Sequence, residues 1–166
     1  MLQSKILPMV AVLVPAGLLA QAPVAPPPPQ QAHVIVAHAA TLVWMPGPPS
    51  LPAGAQIAVI EGNPVDSAPF TFRLKFPPNY RLPPHFHSGW EHVTVLSGTL
   101  NVGMGEQATY TGGVVLKEGS MGVIPPKTAH HAWTGADGAT IQLHGIGPWT
   151  ITFVNPADDP RNKKPN

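Results

Sequence analysis

Phe70, Phe72, Leu74 and Phe76 alternate with Thr71, Arg73 and Lys75, and this two-residue period, rather than a helical one, recurs along the chain. In an extended strand successive side chains point to opposite faces. The four apolar residues therefore share one side and the three polar ones the other, the pattern of a half-buried strand. Val93 and Val95 flank Thr94 before a turn at Ser97-Gly98, and Leu100, Val102 and Met104 repeat the pattern before Gly105. Val123 and Ile124 run into Pro125-Pro126, and Ala139 to Ile146 reads as a late strand entered from the turn Gly135-Ala136-Asp137-Gly138. Gly112-Gly113 is a further turn signal. No stretch sustains a helical period. Many short strands between close turns predict an all-β sandwich or barrel.

At 166 residues the chain is long enough for one domain with a real core and too short for two ordinary ones. Residues 1–20, MLQSKILPMVAVLVPAGLLA, carry one lysine and then a mostly apolar stretch from Ile6 that ends in small residues. This predicts a secretory signal peptide and export to a bacterial periplasm or the extracellular space. The stretch is short for a membrane span and is broken by Pro8, Pro15 and Gly17, so no membrane attachment is expected after cleavage; an uncleaved anchor is the alternative. Residues 21–33 form a proline-rich linker, residues 34–155 the folded domain and residues 156–166 a polar tail expected at the surface or without order. Nine Lys and Arg stand against eight Asp and Glu, and loss of residues 1–20 removes Lys5 and no acid. So balanced a charge gives no field to hold nucleic acid or an anionic membrane, and the expected partner is a small molecule. The absence of cysteine excludes disulfides, thiolate metal sites and a cysteine nucleophile, so any metal ligand must be His or a carboxylate.

Residues 85–92, HFHSGWEH, hold three histidines and a glutamate in a chain with only 10% charged residues. Read as a strand, His85, His87, Gly89, Glu91, Val93 and Val95 share one face, and Phe86, Ser88, Trp90, His92 and Thr94 the other. A lone histidine is more often a hydrogen-bonded core residue. Two histidines and a glutamate converging beside valines are different: an unpaired buried carboxylate is costly, and a metal is the simplest compensation. Such ligands suit a divalent first-row transition metal, whether Fe, Mn, Ni, Cu or Zn.

The spacing His85-x-His87-x3-Glu91-x6-Gly98 resembles the first sequence motif of the cupins, and Gly119-x5-Pro125-x4-His130 resembles the second, with 20 residues between Gly98 and Gly119. The resemblance covers about residues 70–150. Three positions depart from the motifs: Asn79 stands where the first usually opens with glycine, Lys127 at a second glycine position and Thr134 at an asparagine position. These bear on turns rather than ligands, and Asn tolerates turn conformations. The resemblance implies a small double-stranded β-helix, the jelly-roll cupin barrel, with a metal held inside by His85, His87, Glu91 and His130 and one or two coordination positions left open. Small cupins commonly pair through edge strands, which implies a homodimer.

His92 and His131 sit beside ligand positions but alternation turns them outward, and Trp90 opposes the ligand face. Gln142 and His144 share a face with Thr140; they either contact the substrate and brace a metal ligand, or belong to a polar outer face. Tyr80 and Arg81 precede the first motif, in a loop expected near the barrel mouth, where they either contact a substrate or are solvated, and Arg73 and Lys75 would bind an anion if their face lined the cavity and are otherwise solvated. His33 and His38 lie in or near the linker and are incidental. Two uses of such a centre stay open, beside a weaker third in which the ligand set is vestigial and the metal only structural. One is a metal-dependent oxidoreductase, a dioxygenase acting on a small chelating substrate such as a diketone, enediol or catechol-like ring, with Glu91 catalytic either as fourth ligand or as a detached base. The other is a binding or sensor module without turnover. An additional acid or base facing the metal, His144 for instance, favours catalysis; a sealed apolar cavity favours binding.

Overall fold

The structure, a computed structural model, describes residues 35–163. The predicted signal peptide and linker, with His33, lie outside the described residues. Among those described, no helix is long and apolar enough to cross a membrane.

Among the described residues nine strands follow one another: β1 (Met45–Pro46), β2 (Gln56–Glu61), β3 (Pro69–Phe76), β4 (Arg81–His87), β5 (Glu91–Met104), β6 (Val114–Lys117), β7 (Met121–Ile124), β8 (His130–Ile146) and β9 (Ile151–Phe153). Every pairing is antiparallel. β3 folds as its alternation dictates: Phe70, Phe72, Leu74 and Phe76 are buried and Lys75 is exposed. Each such aromatic or aliphatic side chain removed from water stabilises the fold by roughly 1.5–3 kcal/mol. The short β1 and β9, and β2 with its bulge between Val59 and Glu61, carry too little pattern to be read from sequence.

The two expected turns at Ser97-Gly98 and at Gly135–Gly138 are instead bends inside the two longest strands. β5 and β8 run antiparallel to each other from His92↔His144 to Met104↔His130. Between Gly98 and Leu100 the partner jumps from Ala139 to Thr134, so β8 carries extra residues as a bulge that bends it. Gly98 (φ 75°) and Gly138 (φ 65°) meet at this corner: a Cβ on Gly98 would lie 2.3 Å from the Gly138 carbonyl oxygen. Only glycine fits there, which is why the sequence read as a turn. Beyond the bend, β8 pairs with β3, which continues to β2 and β1, while β5 pairs with β7. Before it, β8 pairs with β4, which carries β9, and the far half of β5 pairs with β6. Both long strands thus belong to two layers that close on each other, a jelly-roll β-barrel around Phe70, Phe72, Val93, Val95, Ile141 and Leu143. Met104, expected inside with Leu100 and Val102, is 54% exposed, because the neighbouring Gly103 takes the buried position under the His131 ring.

The three departures from the motifs are local. Asn79 (φ 58°) and Lys127 (φ 59°) both adopt the left-handed backbone that glycine would take. Thr134 is buried and ties the turn before β4 to β8: its hydroxyl donates to the Pro77 carbonyl (2.7 Å) and accepts from the Tyr80 amide (2.9 Å). After β9 the described chain ends in two 3-10 turns, Pro156–Asp158 and Pro160–Asn162, capped by the Asn155 and Asp159 side chains.

Candidate metal centre

HFHSGWEH is not one strand. It breaks at residues 88–90, where the chain crosses from β4 to β5, two strands that do not pair with each other. The alternation nevertheless survives the crossing: His85, His87, Glu91, Val93 and Val95 are all buried, while Trp90 is 53% exposed. His85 lies opposite His130 in the β4–β8 register, which places two imidazoles side by side with ring centroids 4.2 Å apart. His87, two residues along the same face, brings its ring within 5.0 Å of His85 and 5.3 Å of His130. One ring nitrogen from each of the three lies within 4.8 Å of the other two. Glu91, from the start of β5, places Oε2 at 3.0 Å from His130 Nε2 and 3.3 Å from His87 Nε2.

Each imidazole is oriented by the backbone. Nδ1 of His85 donates to the Pro83 carbonyl (2.7 Å), that of His87 to Thr150 (3.0 Å) and that of His130 to Thr128 (2.9 Å). With the proton engaged on Nδ1, Nε2 presents its lone pair to the centre, the arrangement found around metal-ligating histidines. Thr150 belongs to a segment built around His87: its amide donates to Ser88 Oγ (2.9 Å), and the Trp149 ring stacks on the His87 ring at 3.9 Å and 13°. Carbonyl partners such as Pro83 and Thr150 leave no mark in a sequence.

The close approach of Glu91 Oε2 and His87 Nε2 is not an aligned hydrogen bond, and both atoms are buried without one. A carboxylate oxygen and an imidazole nitrogen buried together without an aligned hydrogen bond are costly in a protein interior unless a proton or a metal cation lies between them. The residues therefore fit a metal. Without one, burial pushes the Glu91 carboxyl up, but the His130 and His87 imidazoles outweigh it and hold it well below the usual carboxylate range. Burial, then the neighbouring His130 and His87, lower His85 to about 3. Burial also lowers His130, but contact with Glu91 overcomes it and leaves its pKa raised.

The four side chains line a cavity of about 80 Å³ whose remaining wall is almost entirely apolar, with Phe72, Leu74, Leu82, Val93, Val102 and Ile141 prominent. Ser50 and Trp149 are, among the described residues, the other lining residues whose side chains carry a polar atom. Ser50 lies with Pro48 and Leu51 on the loop before β2, which sequence pattern did not single out; a hydrogen bond of 2.7 Å from the Tyr80 hydroxyl to the Pro52 carbonyl holds that loop.

Several neighbours stand elsewhere than one of their sequence readings allowed. Gln142 and His144 face outward: Gln142 Oε1 accepts from Arg73 Nε (3.1 Å), and His144 stacks on His92 at 4.8 Å. The polar-out reading of that strand holds, because Ile141 and Leu143 take the inner face. Tyr80 is neither a solvated nor a ligand-facing residue but is buried, stacked on Phe76 at 4.7 Å. His131 points away from the centre yet is 1% exposed, covered by Tyr110, Trp133 and Gly103.

Comparison with known proteins adds a family. A search of curated proteins finds no match. Among solved structures, similarity extends to an acetylacetone dioxygenase from Acinetobacter johnsonii (16% identity, 80% of this chain and 85% of that one, TM-score 0.59). It extends also to the polyketide cyclase RemF from Streptomyces resistomycificus (17%, 78% and 91%, 0.59) and an RmlC-like cupin from Ralstonia eutropha JMP134 (19%, 69% and 69%, 0.54). At such identities these likenesses speak for the fold. The sequence pattern of the ChrR cupin-like domain matches residues 32–148, a span that holds both motifs, every strand from β1 to β8 and all four converging side chains. The chain thus belongs to the ChrR cupin-like family of the cupins.

Proposed function

We propose that the protein holds a divalent first-row transition metal through His85, His87, Glu91 and His130 and uses it to bind and oxidise a small, largely apolar chelating substrate, as a dioxygenase does. The observation that supports this reading is the convergence of the four side chains, with buried Nε2 and Oε2 atoms lacking aligned partners, at the wall of an apolar cavity. A metal there supplies Lewis acidity and redox chemistry to whatever chelates it. The chain's own contribution is to fix three imidazoles by their Nδ1 hydrogen bonds, to exclude water with an aliphatic wall, and to offer Glu91 as the one acid–base group in reach. About 80 Å³ is roughly half the size of an engineered apolar cavity that admits benzene, so the buried part of the substrate is small. Similarity to a protein named as an acetylacetone dioxygenase agrees with a diketone as one candidate. Export and the pairing of two copies belong to the same proposal.

The test is oxygen uptake by the metal-loaded protein with a panel of diketones, enediols and catechols. One member should consume oxygen, and Glu91→Gln should slow it by about 10²-fold or more. A second reading, ligand binding without turnover, is favoured by one specific observation: among the described residues the wall offers no acid or base beyond the four converging side chains, His144 being on the outer face. A protein that carries one metal per chain and binds panel members, yet consumes no oxygen with any, is a binding module.

A further inference from the structure

The cavity wall restricts the charge of what it can hold. Among the described residues, no ionisable side chain lines it apart from His85, His87, Glu91 and His130. The cations that alternation made candidates for anion binding are turned away, Arg73 bonding to Gln142 at 3.1 Å and Lys75 lying over the Trp44 ring at 4.3 Å, and Arg81, expected near the mouth, lies over the Tyr110 ring at 4.8 Å. The three imidazoles act as neutral ligands, since each Nδ1 proton is engaged by a carbonyl, while Glu91 contributes a single negative charge. With a divalent cation the centre is left with one net positive charge among aliphatic side chains. An uncompensated charge is strongly disfavoured in such surroundings, whichever its sign.

We propose, building on the metal-centre reading above, that the site selects ligands that carry one negative charge when bound and are otherwise apolar: oxygen chelators of the enolate or monocarboxylate type, in preference to dianions. A dianion would leave a net negative charge with no Lys or Arg to meet it. A neutral 1,3-diketone enters by giving up one proton to solvent as its enolate oxygen bonds the metal.

Malonate, acetoacetate and acetylacetone share one O–C–C–C–O skeleton and differ in charge, which makes them the probes. The full chain is loaded with Co(II), each is titrated by the visible absorption of the metal, and affinities are expressed relative to aqueous Co(II). Acetoacetate and acetylacetone should exceed malonate by at least ten-fold, and acetylacetone should release one proton per molecule bound in weakly buffered solution. Glu91→Gln raises the charge of the centre by one without altering the apolar wall, and should shift the preference toward malonate by ten-fold or more. Malonate binding as tightly as the monoanions in the unaltered protein, or acetylacetone binding without proton release, overturns the proposal even if Glu91→Gln fails to hold the metal. If the unaltered chain takes up no Co(II), the metal-centre reading itself falls, and this inference with it.

Discussion

His85 is the residue on which the centre's chemistry is most exposed to measurement. It is 1% exposed, and burial followed by the proximity of His130 and His87 holds its pKa near 3, against an ordinary value of 6.5. Between those values the unfolded chain binds a proton that the folded one refuses. The associated stability is therefore complete above pH 6.5 and is lost as pH falls toward 3, with a slope of up to about 1.4 kcal/mol per pH unit. Glu91, held low, acts in the same direction at more acidic pH, its stabilisation being lost as pH falls through its depressed value. His130, held high, acts oppositely: its contribution is complete below 6.5 and is lost as pH rises through its raised value. Thermal melts of chelator-treated protein at pH 7, 6, 5 and 4 should fall steadily on acidification, and His85→Gln should flatten the decline by about one proton's worth. A profile level from pH 7 to 4 would mean that the imidazole is solvated.

Within the strands and the turns that join them, backbone demands decide which positions tolerate change. At Gly98 a methyl group would strike the Gly138 carbonyl in a conformation with φ 75°, so Gly98→Ala should cost roughly 2–5 kcal/mol and lower the melting temperature by on the order of 10 °C. At Lys127 the opposite holds. A lysine at φ 59° carries strain of about 1–2 kcal/mol that glycine relieves at a smaller entropic cost, so Lys127→Gly should stabilise by about 0.5 kcal/mol. Chemical denaturation of both variants reads these effects. The same glycines explain the limits of the sequence. Alternation in Phe70–Phe76 sufficed for β3, because one face is buried along its length. Gly98 and Gly138 announced a change of direction, but nothing local distinguishes a turn that ends a strand from a corner that bends it; that depends on the partner strand, which lies 40 residues away in the chain. Likewise the break at residues 88–90 was invisible, since the spacing of His85, His87 and Glu91 preserves alternation across it.

For the molecule as a whole, the barrel brings together ligand candidates from three strands, β4, β5 and β8, that are far apart in sequence only for His130. That residue was legible through its motif; the carbonyls of Pro83, Thr128 and Thr150 that orient the rings, and the loop with Ser50 and Leu51 at the cavity, were not, because backbone groups and loop packing have no residue signature. Metal bound between β4, β5 and β8 should join the layers and stabilise the folded state in proportion to its occupancy, so a chelator should lower the melting temperature and Zn(II) or Co(II) should restore it. The chemistry of the barrel depends on these four side chains holding one metal ion. Elemental analysis of the purified chain and of its His85→Ala and His130→Ala variants, each equilibrated with the same divalent metal and desalted, measures this directly. One metal per chain in the unaltered protein and little or none in either variant is the expected result; equal metal content in all three, or none in the unaltered chain, would contradict it.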